Sequence, residues 1–268
     1  MDLIFYPVIS VLVFMFGASI GSFLTLVATR MDPTKTKKSL FEIFVSPSHC
    51  DHTNKKLSPL ELVPVFSYLL LGGKSKNNKK KIPISYLIME IICGVIAVVL
   101  FFMIGTSDLL LLLVYSILVF SLIYLAYFDY LYWEVQLGVI VFDFVLVVLY
   151  YIFQILSGVN TWNYLVEHLM ACALGIGFIV FFIVISKGKG LGLGDAWIMG
   201  IMGLVLGFFE LFLALTIASV VGSVFGLAKA YLFEGKIKGV MIQFVPFLSF
   251  GFIVTLLFGN LILDYIYY

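Results

Sequence analysis

Charge is scarce in this chain of 268 residues: Asp, Glu, Lys and Arg together make up only 12%. Soluble domains carry roughly twice that share. With 63% hydrophobic residues and a mean hydropathy of +1.16, lipid must be the main solvent. Cysteine is scarcer still, and Cys50, Cys93 and Cys172 are too few and too scattered for a disulfide framework. Cys93 and Cys172 sit in apolar runs, where they read as small buried hydrophobes. The net charge of +1 points to no charged partner, and no basic surface of the kind that binds nucleic acid is expected. There is no internal repeat and no low-complexity tract.

What the chain has in abundance is long apolar runs. They fall near 5–29, 83–104, 109–128, 133–156, 164–186, 196–211, 212–233 and 240–263. The expected fold is therefore all-α and integral to the membrane, with about eight transmembrane helices. The sixth run is the shortest, and only Gly207–Glu210 separates it from the seventh. The first run lacks a basic leader and a small-residue cleavage site, so it reads as a retained helix. One long polar segment, Arg30–Lys81, lies between the first two runs and reads as a cytoplasmic loop domain. The expected organisation is a first helix over 1–29, the loop domain over 30–82 and a seven-helix core over 83–268.

The few charges are not scattered evenly. With the N-terminus outside, every Lys and Arg falls in, or at a helix end beside, the loops 30–82, 129–132, 187–195 and 234–239. The opposite connections near 105–108, 157–163 and 208–210 hold none. Positive residues resist export, so this segregation predicts an orientation with the basic loops in the cytoplasm. The basic loop itself reads as a topology signal that also touches anionic lipid.

Carboxylates near hydrocarbon are costly and call for a reason. Asp129 ends the third run and Asp195 begins the sixth, after the glycine-rich stretch Gly190-Leu191-Gly192-Leu193-Gly194. The helix count places both at the cytoplasmic boundary. Two neighbouring aspartates share one proton, so that one can activate water while the other donates to a carbonyl. Gly192 and Gly194 are expected to let the backbone bend and lie close to a substrate strand. Asp143, in mid-helix, reads as a structural residue with a partner on another helix, and Glu167 and His168 as solvated interfacial residues.

These residues resemble the prepilin leader peptidases of type IV pilus, competence and type II secretion systems. Gly192-Leu193-Gly194-Asp195 is similar to that family's GxGD motif, and Asp129 stands at its first catalytic aspartate. Gly21-Ser22-Phe23-Leu24 with Arg30 resembles the signature closing the first helix, with Thr25 where asparagine is usual. Glu61–Leu69 followed by Gly72-Gly73-Lys74, the segment Ile82–Glu90, and Gln243-Phe244-Val245-Pro246-Phe247 match further family patterns in order. Ala196-Trp197 departs from the usual valine–lysine.

The resemblance implies an intramembrane aspartic endopeptidase of a bacterial inner membrane. It would remove the basic leader of pilin-like precursors with Asp129 and Asp195 and need no cofactor for proteolysis. It also implies a methyl-transfer activity using S-adenosylmethionine, with Arg30, Glu61 and Glu90 as its residues. Many members carry two CxxC pairs in the loop; here only Cys50 remains, with Thr53, Ser75 and Asn78 at the other positions. One thiolate cannot build a tetrathiolate zinc site, so a loop without zinc or other metal is expected, the cluster His49-Cys50-Asp51-His52 notwithstanding. Two other readings remain. A proton-coupled transporter would keep acids such as Asp143 but calls for broken helices and repeats, and an inactive membrane assembly protein would need no dyad.

Overall fold

The computed structural model describes residues 2–34, 59–76, 79–105, 107–188, 190–234 and 241–267. Among these, α1 is Asp2–Arg30, α2 Phe66–Leu70, α3 Ile84–Ile104, α4 Leu109–Tyr132, α5 Leu137–Leu156, α6 Trp162–Ile185, α7 Leu193–Leu206, α8 Phe208–Lys229 and α9 Val245–Tyr267. Seven of these helices are long and apolar enough to cross a membrane, all but α2 and α7. No strand forms among the described residues; Lys74 and Lys81 make one isolated antiparallel bridge. The all-helical membrane architecture expected from the apolar runs is what the chain adopts. The segment with His49, Cys50, Asp51 and His52 lies outside the described residues.

The chain divides into two compact units, 1–116 and 117–268, the boundary falling inside α4. In the first unit α1 packs on α3 through glycine. A Cβ at Gly17 would lie 2.5 Å from the Cys93 carbonyl oxygen, and one at Gly21 would lie 2.7 Å from that of Met89. Lipid offers no hydrophobic drive between helices, so close backbone contact through paired small residues supplies the packing instead. Gly17 and Gly21 are four apart and share a face.

The same unit carries a tight polar clasp. Val65 has φ +64° and ψ −53°, and the Phe66 amide donates to the Pro64 carbonyl at 2.7 Å, which defines a γ-turn. A β-branched residue there is strained. The Val65 amide donates to Oε2 of the buried Glu90 at 2.7 Å, and the Ser22 hydroxyl also bonds that carboxylate. Three segments far apart in sequence thus meet on one acid. Replacing Glu90 with alanine is expected to cost about 1.5–3 kcal/mol, the worth of hydrogen bonds to a charged group. A lower Tm in detergent and faster proteolysis between residues 59 and 83 would report that loss.

In the second unit α7 is the shortest apolar helix, with 14 residues, and rises about 21 Å at 1.5 Å per residue. That is short of a hydrocarbon core of about 30 Å. Its neighbours compensate by enclosing it, since every described residue from Asp195 to Leu206 except Trp197 is buried. Close approach again depends on glycine: a Cβ at Gly175 would come within 2.8 Å of the Met199 carbonyl oxygen, and one at Gly203 within 2.5 Å of that of Ala171.

A short helix ends inside protein, where its last carbonyls need donors. His168 and Tyr151 supply them. His168 Nδ1 lies 2.9 Å from the Leu204 carbonyl oxygen, and the Tyr151 hydroxyl donates to the same oxygen at 3.0 Å. This corrects the expectation that His168 is solvated: it is buried, while Glu167 beside it is exposed. Tyr151→Phe is expected to lower stability by about 1–3 kcal/mol through the under-served carbonyl, read as a fall in Tm. Asp143 has the partner expected of it, for the Ser121 hydroxyl donates to its Oδ2 at 2.6 Å.

Candidate active site

Asp129 stands in the last turn of α4, and the chain must stop being helical just after it. Trp133 adopts φ +59°, and its amide donates to the Asp129 carbonyl at 2.8 Å, closing the helix. The last carbonyls of a helix have no partner within it. Here the Gln243 side-chain amide provides one, donating to the carbonyls of Asp129 at 2.6 Å and Tyr130 at 3.0 Å. The Asp129 side chain is only 7% exposed, and its Oδ2 has no hydrogen-bond partner among the described residues.

Asp195 stands in the first turn of α7, three residues after the N-cap Gly192. Its Oδ2 accepts a hydrogen bond from the Gly192 amide at 2.8 Å. A carboxylate reaching back to the capping residue satisfies an amide the helix cannot, and the positive end of the helix dipole favours its charge. Asp195 is as well buried as Asp129, at 8% exposure. The two acids lie close enough that the charge of Asp195 acts on the Asp129 carboxyl.

What brings them together is a close contact one residue before Asp195. A Cβ on Gly194 would lie 2.5 Å from Cγ2 and 3.0 Å from Cβ of Val135, in the connection just after α4. Gly194 is therefore needed for packing the two aspartate-bearing ends against each other. Gly192 differs: it has an ordinary extended conformation, φ −101° and ψ 164°, with no close neighbour at its Cβ position. The expected reason for that glycine, freedom to bend, is not the one the backbone displays; its contribution is the amide on Asp195.

Chemically, this is a pair of buried acids with different surroundings. Asp195 is held by a backbone donor, whereas Asp129 keeps one buried oxygen with no hydrogen-bond partner among the described residues. Tyr130, Trp133, Leu193 and Trp197 flank the pair in sequence and are exposed, giving it apolar borders. Val135 and Gln243 belong to the site without having been singled out as its parts. Val135 carries no signal in sequence, whereas Gln243 is a polar residue in an apolar entry to a helix.

The other predicted site residues lie in the first unit. Arg30 ends α1, Glu61 lies in the 3-10 turn Pro59–Leu62, and Glu90 is the buried acid of the Val65 clasp. Among the described residues no cluster of three or more His, Cys, Asp or Glu side chains has the makings of a metal site.

Residues 15–104 match the family model described as "Bacterial Peptidase A24 N-terminal domain", and residues 116–227 the one described as "Type IV leader peptidase family". Three relatives called "Prepilin leader peptidase/N-methyltransferase" align over most of their length. The one from Stutzerimonas stutzeri is 28% identical over 91% of this chain and 89% of its own. That from Bacillus subtilis (strain 168) is 25% identical over 95% and 96%. That from Aeromonas salmonicida (strain A449) is 26% identical over 93% and 90%. No solved structure gives a significant match. Two family models in chain order, and relatives similar from end to end, make this chain a member of the type IV leader peptidase family.

Proposed function

We propose that this multi-pass bacterial membrane protein is a prepilin leader peptidase that cleaves its substrate with Asp129 and Asp195. The observation that carries the reading is the meeting of two buried carboxylates across the Gly194–Val135 contact. Neighbouring carboxyls disfavour double ionisation, so one is protonated while the other is charged and the pair titrates as a unit. Its charged form takes a proton from water as that water attacks the scissile carbonyl. Its protonated oxygen donates to the carbonyl oxygen, and a proton then passes to the departing amine. Apolar borders at Trp197 and Tyr130 suit a substrate whose own hydrophobic helix stays in the bilayer.

In this reading the helix 1–29 anchors the loop domain 30–82, and the core 83–268 carries the dyad. The N-terminus faces out, and the dyad opens to the cytoplasm among the basic loops, where a positively charged leader would remain. The substrates are type IV pilin-like precursors. Arg30, Glu61 and Glu90 are assigned to a second step, transfer of a methyl group from S-adenosylmethionine to the new N-terminal amine. Proteolysis itself requires no cofactor, and the loop requires no zinc.

One experiment addresses both activities. Purified protein is incubated with a prepilin and labelled S-adenosylmethionine, and the product is weighed. Loss of the leader mass supports the peptidase, and an added methyl supports the transferase. An intact precursor would reject the reading.

A further inference from the structure

We propose that Gln243 is a positioning residue for the dyad, holding the final turn of α4 so that Asp129 faces Asp195. The proposal rests on the reading of Asp129 as a member of that dyad.

Both partners of the Gln243 side chain are carbonyl oxygens, so its NH2 end must face them. It bridges two successive carbonyls, Asp129 at 2.6 Å and Tyr130 at 3.0 Å, the first short for an N–H···O bond. With the Trp133 amide, the Asp129 carbonyl has two donors for its two lone pairs. A turn gripped at adjacent carbonyls cannot rotate about the helix axis. A carboxylate stands ~5 Å from that axis, so a 20° rotation would move it by about 2 Å.

Gln243 can impose this because its own segment is anchored elsewhere. Lys229, at the end of α8, donates to the Met241 carbonyl at 3.0 Å. Phe247 packs on Phe225, ring centroids 5.5 Å apart, and lies 3.4 Å from where a Cβ of Gly222 would stand. Val245 is buried. Farther along α9, the Ser249 hydroxyl donates to the Leu122 carbonyl at 3.2 Å, two turns before Asp129. The α9 entry is thus fixed on α8 and reaches across to hold α4 at two levels, and Gln243 is the level at the acid.

The test compares wild type with Gln243→Met, which keeps the length but has no donor, and Gln243→Glu, whose ionised end repels the carbonyls. Prepilin cleavage is measured per folded molecule, with kcat and KM separated. Gln243→Met is expected to lower kcat by roughly 10- to 100-fold, the effect of an ångström-scale misplacement, with KM within about twofold. Gln243→Glu should fall at least as far. Unchanged kcat in folded Gln243→Met overturns the proposal, and so does a change in KM alone or a loss only in proportion to folded protein. Should Gln243→Met not fold, Gln243→Asn, a shorter donor, is held to the same kcat criterion. Asp129→Asn is run alongside: if it cleaves normally, the dyad reading has failed, whereas an inactive Asp129→Asn beside a fully active Gln243→Met rejects positioning alone.

Discussion

Asp129→Asn and Asp195→Asn are each expected to lower prepilin cleavage by roughly 100- to 10,000-fold, the usual contribution of general acid–base catalysis. Asparagine keeps the size and polarity of aspartate but cannot take or give the shared proton. At Asp195 the exchange should leave the fold intact, because an amide oxygen can still accept the Gly192 hydrogen bond seen at 2.8 Å. At Asp129 the backbone carbonyl makes the structural bonds, to Trp133 and Gln243, so the side chain can change without releasing the turn. The two losses should not add. Residues acting as one unit are non-additive, so the double variant should be about as inactive as either single one. Timed cleavage of a purified prepilin measures all three.

The second large effect is expected at a residue with no reacting group. Gly194→Ala places a methyl 2.5 Å from Val135 Cγ2, closer than real contacts allow. Valine has few χ1 rotamers, and its Cβ would also stand 3.0 Å away, so the backbone must yield. That shift separates the two acid-bearing ends, and kcat should fall by roughly 100-fold. Combining Gly194→Ala with Val135→Ala removes the 2.5 Å contact but leaves the one at 3.0 Å. The double variant should therefore recover part of the activity lost. A full loss that Val135→Ala does not relieve would mean that Gly194 acts through something other than this contact. Assaying the four proteins as a mutant cycle isolates the coupling.

The sequence made the membrane class plain because a bilayer demands long apolar runs, and those runs are hard to hide. Among the described residues seven helices have the length for a span, and the sixth run became the short, enclosed α7. Asp129 and Asp195 were legible because charge at a membrane boundary stands out against an apolar background. His168 was misread for a related reason. Its position early in α6 suggested an interface, but its partners are the Leu204 carbonyl near the end of α7 and the Tyr151 hydroxyl, and nothing local announces where a short helix stops. Gly194 was legible as a glycine, but its contact was not, since that is set by Val135, fifty-nine positions earlier in the chain. The Glu90 clasp was invisible in the same way, for Ser22, Val65 and Glu90 meet only after three segments pack.

The account depends most on Asp129 and Asp195 being neighbours in the working protein. In a variant with Cys50, Cys93 and Cys172 replaced, cysteines at positions 129 and 195 can be treated in native membranes with a short bifunctional thiol reagent. Cysteines at Ser121 and Asp143, hydrogen-bonded at 2.6 Å, serve as the control pair. Rapid linking of 129 to 195, found as one bridged peptide after digestion, is the predicted result. Linking of the control pair with none between 129 and 195 would contradict it.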